Sequence, residues 1–126
     1  MESWITIPGC PPSKANTYRV VTIAGHASLA KTAALKAYEQ AFYWHNSARG
    51  LDLRTPFTFE VRVFFPSVRN DLDNSLKVLL DCLQQDRTIR NDNLCCRIVA
   101  EKFVDKAAPR VEFRLSWEDE QQPQTK

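Results

Sequence analysis

Asp71-Leu72-Asp73-Asn74, with Lys77 and Asp81 following at helical spacing and Asp92 further on, is the stretch of this chain whose residue types could do chemistry. Carboxylates are hard oxygen ligands suited to ions such as Mg²⁺, and they leave ligand positions open for water and phosphate oxygens. In a chain of formal charge +2 the cluster suggests a divalent-metal site that works on a polyanion. An EF-hand is excluded, because Leu76 stands where that loop needs glycine and Cys82 where it needs the bidentate glutamate. No G-x-x-x-x-G-K-[ST] stretch is present, which excludes a P-loop nucleotide site.

The spacing sets a geometric condition. Two residues apart on a regular helix is a rotation of about 200°, so Asp71 and Asp73 cannot face one ion from within a helix. They can converge if the chain is still extended at Asp71 and helical at Asp73. A helix start also favours negative charge, by about 0.3–1 kcal/mol per group. Lys77 lies four after Asp73 and Asp81 four after Lys77, so one helical edge carries Asp, Lys and Asp. The plainer account is that an aspartate caps the helix and the rest are solvated i,i+4 pairs, worth about 0.2–0.5 kcal/mol each. Spacing alone favours that account.

The elements that must position these residues can be read on either side of them. Trp4 to Ile7 reads as a first strand closed by Pro8-Gly9, and Tyr18 to Ala24 as a second ending near Gly25. From about Ser28 to Arg49 strong helix formers predict a helix with an apolar stripe at Leu35, Tyr38, Ala41, Phe42 and His45, stopped by Gly50. Phe57, Phe59, Val61 and Val63 alternate with Thr58, Glu60, Arg62 and Phe64, the pattern of a strand with one buried face, ended by Pro66. A second helix begins at Asp71 to Asp73, because Leu72, Leu76, Leu79 and Leu83 fall on one face. Gln84 to Asn93 is expected to be a connecting loop. Cys96 to Phe103 and Val111 to Trp117 predict two strands joined as a hairpin by a turn at Asp105 to Pro109. The order β-β-α-β-α-β-β implies an α+β single domain with a mixed, mostly antiparallel sheet and two main helices. The domain is expected over residues 1–117, with an acidic, Gln-rich disordered tail at 118–126.

Composition supports one ordinary globular domain: 126 residues, 44% hydrophobic and 25% charged. No apolar run approaches the roughly 20 residues of a membrane span, and the start of the chain, with Glu2 and a Pro-rich turn, does not read as a signal peptide. A cytoplasmic protein is expected. Cys10, Cys82, Cys95 and Cys96 contain no C-x-x-C pair and are expected to be reduced packing residues. The last ten residues carry a net −2, which leaves +4 on residues 1–116 for a polyanion to meet. His26, in a turn, and His45, on the apolar stripe, are given no metal or base role, and Trp44 is expected in the core.

Arg69-Asn70-Asp71-Leu72-Asp73-Asn74, then Lys77, Asp81 and, across the loop, Asp92 resembles the signature of the RusA-type Holliday-junction resolvases. Ile5-Thr6-Ile7-Pro8-Gly9 followed by Pro11-Pro12-Ser13-Lys14 is similar to that family's opening strand and turn, so the resemblance spans almost the whole domain in the right order. Two departures stand out. Asn91-Asp92-Asn93-Leu94 replaces the acidic and glutamine residues that often surround the family's third aspartate, and Asp86-Arg87-Thr88-Ile89 lacks its usual glycine and aromatic.

The resemblance implies a bacterial or phage-encoded endodeoxyribonuclease of recombination and repair, a homodimer that cuts opposed strands of a four-way DNA junction. It implies Mg²⁺ as cofactor, with Mn²⁺ as substitute and no nucleotide cofactor. Asp71, Asp73 and Asp92 look like the metal-binding triad of such a site and Lys77 like its essential basic residue. Lys14, Arg19, Arg69, Arg87 and Arg90 are candidates for phosphate contacts, Arg69 foremost because it lies two before the first aspartate. Two other classes stay open: a junction-binding module of the same fold without turnover, motivated by the altered loop, and an assembly or inhibitor protein whose acids are caps and surface pairs.

Overall fold

A computed structural model of the chain, which describes residues 3–118, has strands of 4 to 10 residues and two α-helices in an α+β arrangement. The strands are β1 (Ile5–Pro8), β2 (Tyr18–Ile23), β3 (His26–Lys31), β4 (Phe57–Phe65), β5 (Cys95–Val104) and β6 (Arg110–Ser116); the helices are α1 (Ala33–His45) and α2 (Leu72–Gln85). Four strands form one mixed sheet in the order β1-β6-β4-β5, and β2 and β3 form a separate antiparallel pair. Residues 119–126 of the expected tail lie outside the described residues.

The alternation in β4 has its expected cause. Phe57, Phe59, Val61, Val63 and Phe65 are buried, and Ile5, Ile7, Val111, Phe113 and Leu115 from the neighbouring strands share their face. Tyr38 and Phe42 of α1 and Leu79, Cys82 and Leu83 of α2 close over it, so both helices cover the same side of the sheet. On the other side Trp4 lies beneath Arg62 and Arg114, at 4.0 and 4.8 Å from their guanidinium carbons, and Arg114 pairs with Glu60 at 2.7 Å.

Residues 28–31 are strand rather than helix: β2 and β3 pair from Tyr18 and Lys31 to Ile23 and His26 around Ala24-Gly25, whose φ angles are 52° and 81°. Both central residues at positive φ is the hairpin turn that matches strand twist. Helix α1 starts only at Ala33, capped by the Thr32 hydroxyl accepting from Leu35 N–H at 3.1 Å, and ends before Asn46, well short of Gly50. His45 and Trp44 are accordingly exposed rather than on the buried stripe.

The hairpin expected of the last two strands is also absent. β5 runs parallel to β4, while β6 runs antiparallel to β4 on its other side. The turn at 105–109 therefore carries the chain across the end of β4, where Asp105 N–H donates to Phe65 O at 2.7 Å. A parallel pair cannot be joined by a tight turn and needs a crossover, here α2. The acidic stretch thus opens the crossover helix at the carboxyl end of β4, the place where open parallel units bind ligands.

Candidate functional site

At Asp71 the backbone is extended (φ −100°, ψ 125°), and helix α2 starts at Leu72, which is the condition the spacing required. Asp71 occupies the N-cap position, yet its carboxylate caps no backbone N–H. Its Oδ2 accepts instead from Asn74 Nδ2 at 3.1 Å, while Asp73 Oδ1 accepts from Asn74 N–H at 2.9 Å. The capping account of this aspartate therefore does not describe it. Both carboxylates are exposed, and each keeps an oxygen that takes no hydrogen bond among the described residues.

The two aspartates open onto neighbouring clefts. The first, of 590 Å³, has Asp71, Arg69, Asn70 and Ser75 on one wall and the Pro11–Ala15 turn on the other. The second, of 340 Å³, runs between the helices and is lined by Asp73, Lys77 and Asp81 of α2, Glu39 of α1, and Tyr18. Lys14 and Asn74 line both. Lys14 is held there by the short turn that contains it: Thr17 Oγ1 donates to Lys14 O at 2.8 Å, and Thr32 Oγ1 donates to Asn16 O at 2.7 Å. A basic residue of the opening turn thus stands beside the acidic start of α2.

One turn along the helix, Lys77 Nζ donates to Asp81 Oδ1 at 3.1 Å and lies 3.9 Å from Asp92 Oδ2. The bond to Asp81 raises the Lys77 pKa above its ordinary value. Its side chain is 72% exposed, so these are partners it can leave for a phosphate. Asp92 begins a short helical turn, and its backbone N–H donates to the Gln84 side-chain oxygen at 2.8 Å. Asp92 lines neither cleft; its contact is with Lys77, whose hydrogen bond goes to Asp81, and no contact among the described residues joins it to Asp71 or Asp73.

Donor chemistry and donor arrangement say different things about an ion. Asp71 and Asp73 offer hard carboxylate oxygens, which fit Mg²⁺ or Mn²⁺. Among the described residues, however, no three His, Cys, Asp or Glu side chains are grouped so as to hold one. The residues at the mouth of α2 fit the chemistry of such an ion without forming a closed cage.

Of the basic residues, Arg69 and Lys14 share a cleft with Asp71, whereas Arg87 and Arg90 line a different one with Asp52 and Gln84. Arg90 there makes two bonds of 3.0 Å to Asp52, which Arg54 also grips, and together they hold that carboxyl well below the usual range. Arg90 pairs with Asp52 across this loop, with its side chain half exposed. Arg19 stands on the β2–β3 hairpin.

Sequence reading missed a buried polar network behind the loop to Asp92. The Asn46 amide nitrogen donates to Asp86 Oδ2 at 3.1 Å and to Thr88 Oγ1 at 2.8 Å, with Asn46 and Thr88 fully buried. Burial raises the Asp86 pKa. Asn46→Ala strands both partners, each at a desolvation cost of about 1–3 kcal/mol. We expect a stability loss of roughly 2–4 kcal/mol, read by urea denaturation.

Residues 8–116 match the family model described as Endodeoxyribonuclease RusA, which covers both clefts, the start of α2 and Asp92. No curated protein matches the chain at a significant level.

Proposed function

The chain belongs to the RusA endodeoxyribonuclease family, and from that premise we propose that it is a divalent-metal-dependent nuclease that resolves four-way DNA junctions by paired nicks on opposed strands. The observation that carries this reading is the start of α2, where an extended Asp71 and a helical Asp73 each keep a carboxylate oxygen that takes no hydrogen bond among the described residues, with Lys77 one turn on. Asp71 and Asp73 would hold Mg²⁺, with Asp92 completing the triad. When bound, the ion would supply Lewis acidity toward a phosphate oxygen and an acidified water.

The chain's own side chains divide the remaining work. Lys77, exposed and cationic, neutralises charge that develops on the scissile phosphate. Arg69 and Lys14, flanking Asp71 across the first cleft, bind the strand's phosphates and set its position relative to the carboxylates. Asp81 and Asp92 hold Lys77 over the helix until a phosphate replaces them. One protomer offers one such site, so paired cuts call for two protomers about a two-fold axis, matching the approximate symmetry of the junction arms. A homodimer is therefore part of the proposal.

The test is cleavage of a synthetic mobile four-way junction in Mg²⁺, beside a linear duplex of the same sequence and a chelated control. Paired nicks on opposed strands, absent from both controls, are expected. Binding without cutting in Mg²⁺ and in Mn²⁺ would replace the nuclease by a junction-binding module. Absence of any salt-dependent DNA binding would leave the acids as surface pairs.

A further inference from the structure

We propose that Lys102, on β5, is a positioning residue that sets the Asp71 carboxylate and the entry to α2. The chain leaves β4 at Phe65 and must turn within residues 66–70 before Asp71. Lys102 sits opposite Val63 in the β4–β5 register, on the side of the sheet that the helices cover. Its ammonium reaches past the Phe65 ring, 5.8 Å from the centroid, and donates to Val68 O at 2.9 Å and, by a short bond, to Asn70 O. Among the described residues these are the only hydrogen bonds that reach 66–70 from another strand or helix.

The chemistry of the clamp follows. A cation on two carbonyls makes charge-assisted bonds that neutral donors do not match, and alternate carbonyls of a short segment can meet one ammonium only when that segment is held in one path. That path leads directly into Asp71, and it places Arg69, Asn70 and Asp71 on the wall of one cleft. Lys102 has no ion pair with any carboxylate among the described residues and lines neither site cleft, so it acts through the backbone and not on phosphate or ion. Its effect is on how well Asp71 is preset as a ligand. This inference rests on the metal-dependent reading above.

The experiment compares the full chain with Lys102→Met, which keeps the apolar stem, and Lys102→Arg, which keeps the donors. Hydrogen exchange of residues 69–72, the rise in Tm on adding Mg²⁺, and the Mg²⁺ concentration for half-maximal junction cleavage are read together. For Lys102→Met we expect faster exchange at 69–72, a smaller Mg²⁺-induced rise in Tm, and a half-maximal Mg²⁺ concentration about tenfold higher, with junction affinity within twofold. Lys102→Arg should recover most of each. Unchanged exchange and Mg²⁺ dependence in Lys102→Met would overturn the proposal, as would a loss of activity that only tracks a lower metal-free Tm. If the parent protein neither cleaves nor gains Tm with Mg²⁺, it is the metal-dependent reading that fails, and hydrogen exchange still decides whether the clamp exists.

Discussion

Lys77→Met and Asp73→Asn will each leave junction binding largely in place and lower single-turnover cleavage by about 10²–10³-fold, the scale of losing one preorganised charge at a reacting phosphate, roughly 3–4 kcal/mol. On the proposed reading binding survives because phosphate contacts would be spread over Lys14, Arg69 and a second protomer, whereas the cut would depend on the few groups at the start of α2. Methionine keeps most of the Lys77 stem, and asparagine keeps the Asp73 shape and an acceptor for Asn74 N–H. Neither change should disturb the helix. The Lys77 pKa is raised, first by its bond to Asp81, so the charge it supplies is fully present below the ordinary lysine value and is lost only as pH rises beyond it. No loss of cleavage between pH 6 and about 9 should therefore trace to Lys77. A gel-shift assay beside a cleavage time course decides the matter: if Lys77→Met cuts near the parent rate, the lysine is only a surface partner of Asp81.

The second large effect is on stability. Phe113 is fully buried on β6, its ring stacked on Phe42 of α1 at 5.6 Å and 11° and tilted against Phe59 of β4 at 6.2 Å. It is the point where both edges of the β1-β6-β4 run and one covering helix meet. Phe113→Ala removes a ring from three packed elements at once, and such truncations cost about 3–5 kcal/mol. Against a typical total of roughly 5–15 kcal/mol, that is enough to leave a substantial unfolded fraction at moderate temperature. Urea unfolding should show the midpoint falling with little change in slope. A loss under 1 kcal/mol would mean that the site collapses around the missing ring.

What could be read in advance follows from how local each signal is. The burial of alternate β4 residues and of Leu79 and Leu83 on α2 is written in periodicity, because one covered face imposes one period. The geometry at Asp71 was legible for a similar reason: two carboxylates two apart cannot face one ion from within a helix, so at a helix start they can cooperate only if the chain is still extended at the first. β3 was not legible, since Ala27, Leu29 and Ala30 are as good in a helix as in a strand and the turn at Ala24-Gly25 lacks the usual Asn-Gly signal. Nor was the placement of β6, because neighbours in sequence pair only about two-thirds of the time. Asn46, Asp86 and Thr88 gave no warning, being joined across about forty residues by hydrogen bonds that leave no pattern in either segment. Lys102 was hidden in the same way: in sequence it is one of three charged residues, with Arg97 and Glu101, on an edge strand.

The sheet order has a consequence for how the chain comes off the ribosome. β1 has β6 as its neighbour in the sheet, and the two are separated by about a hundred residues. Made well before its partner, β1 has to wait unpaired, with Ile5 and Ile7 uncovered, until residues 110–116 have emerged some seconds later. Whatever shelters those few residues in the interval, chaperone or loose collapse on α1, decides how much nascent protein escapes aggregation. A slow, late closing step of this kind is what long-range strand pairing entails. A strand made late is the one that seals a strand made about a hundred residues before it.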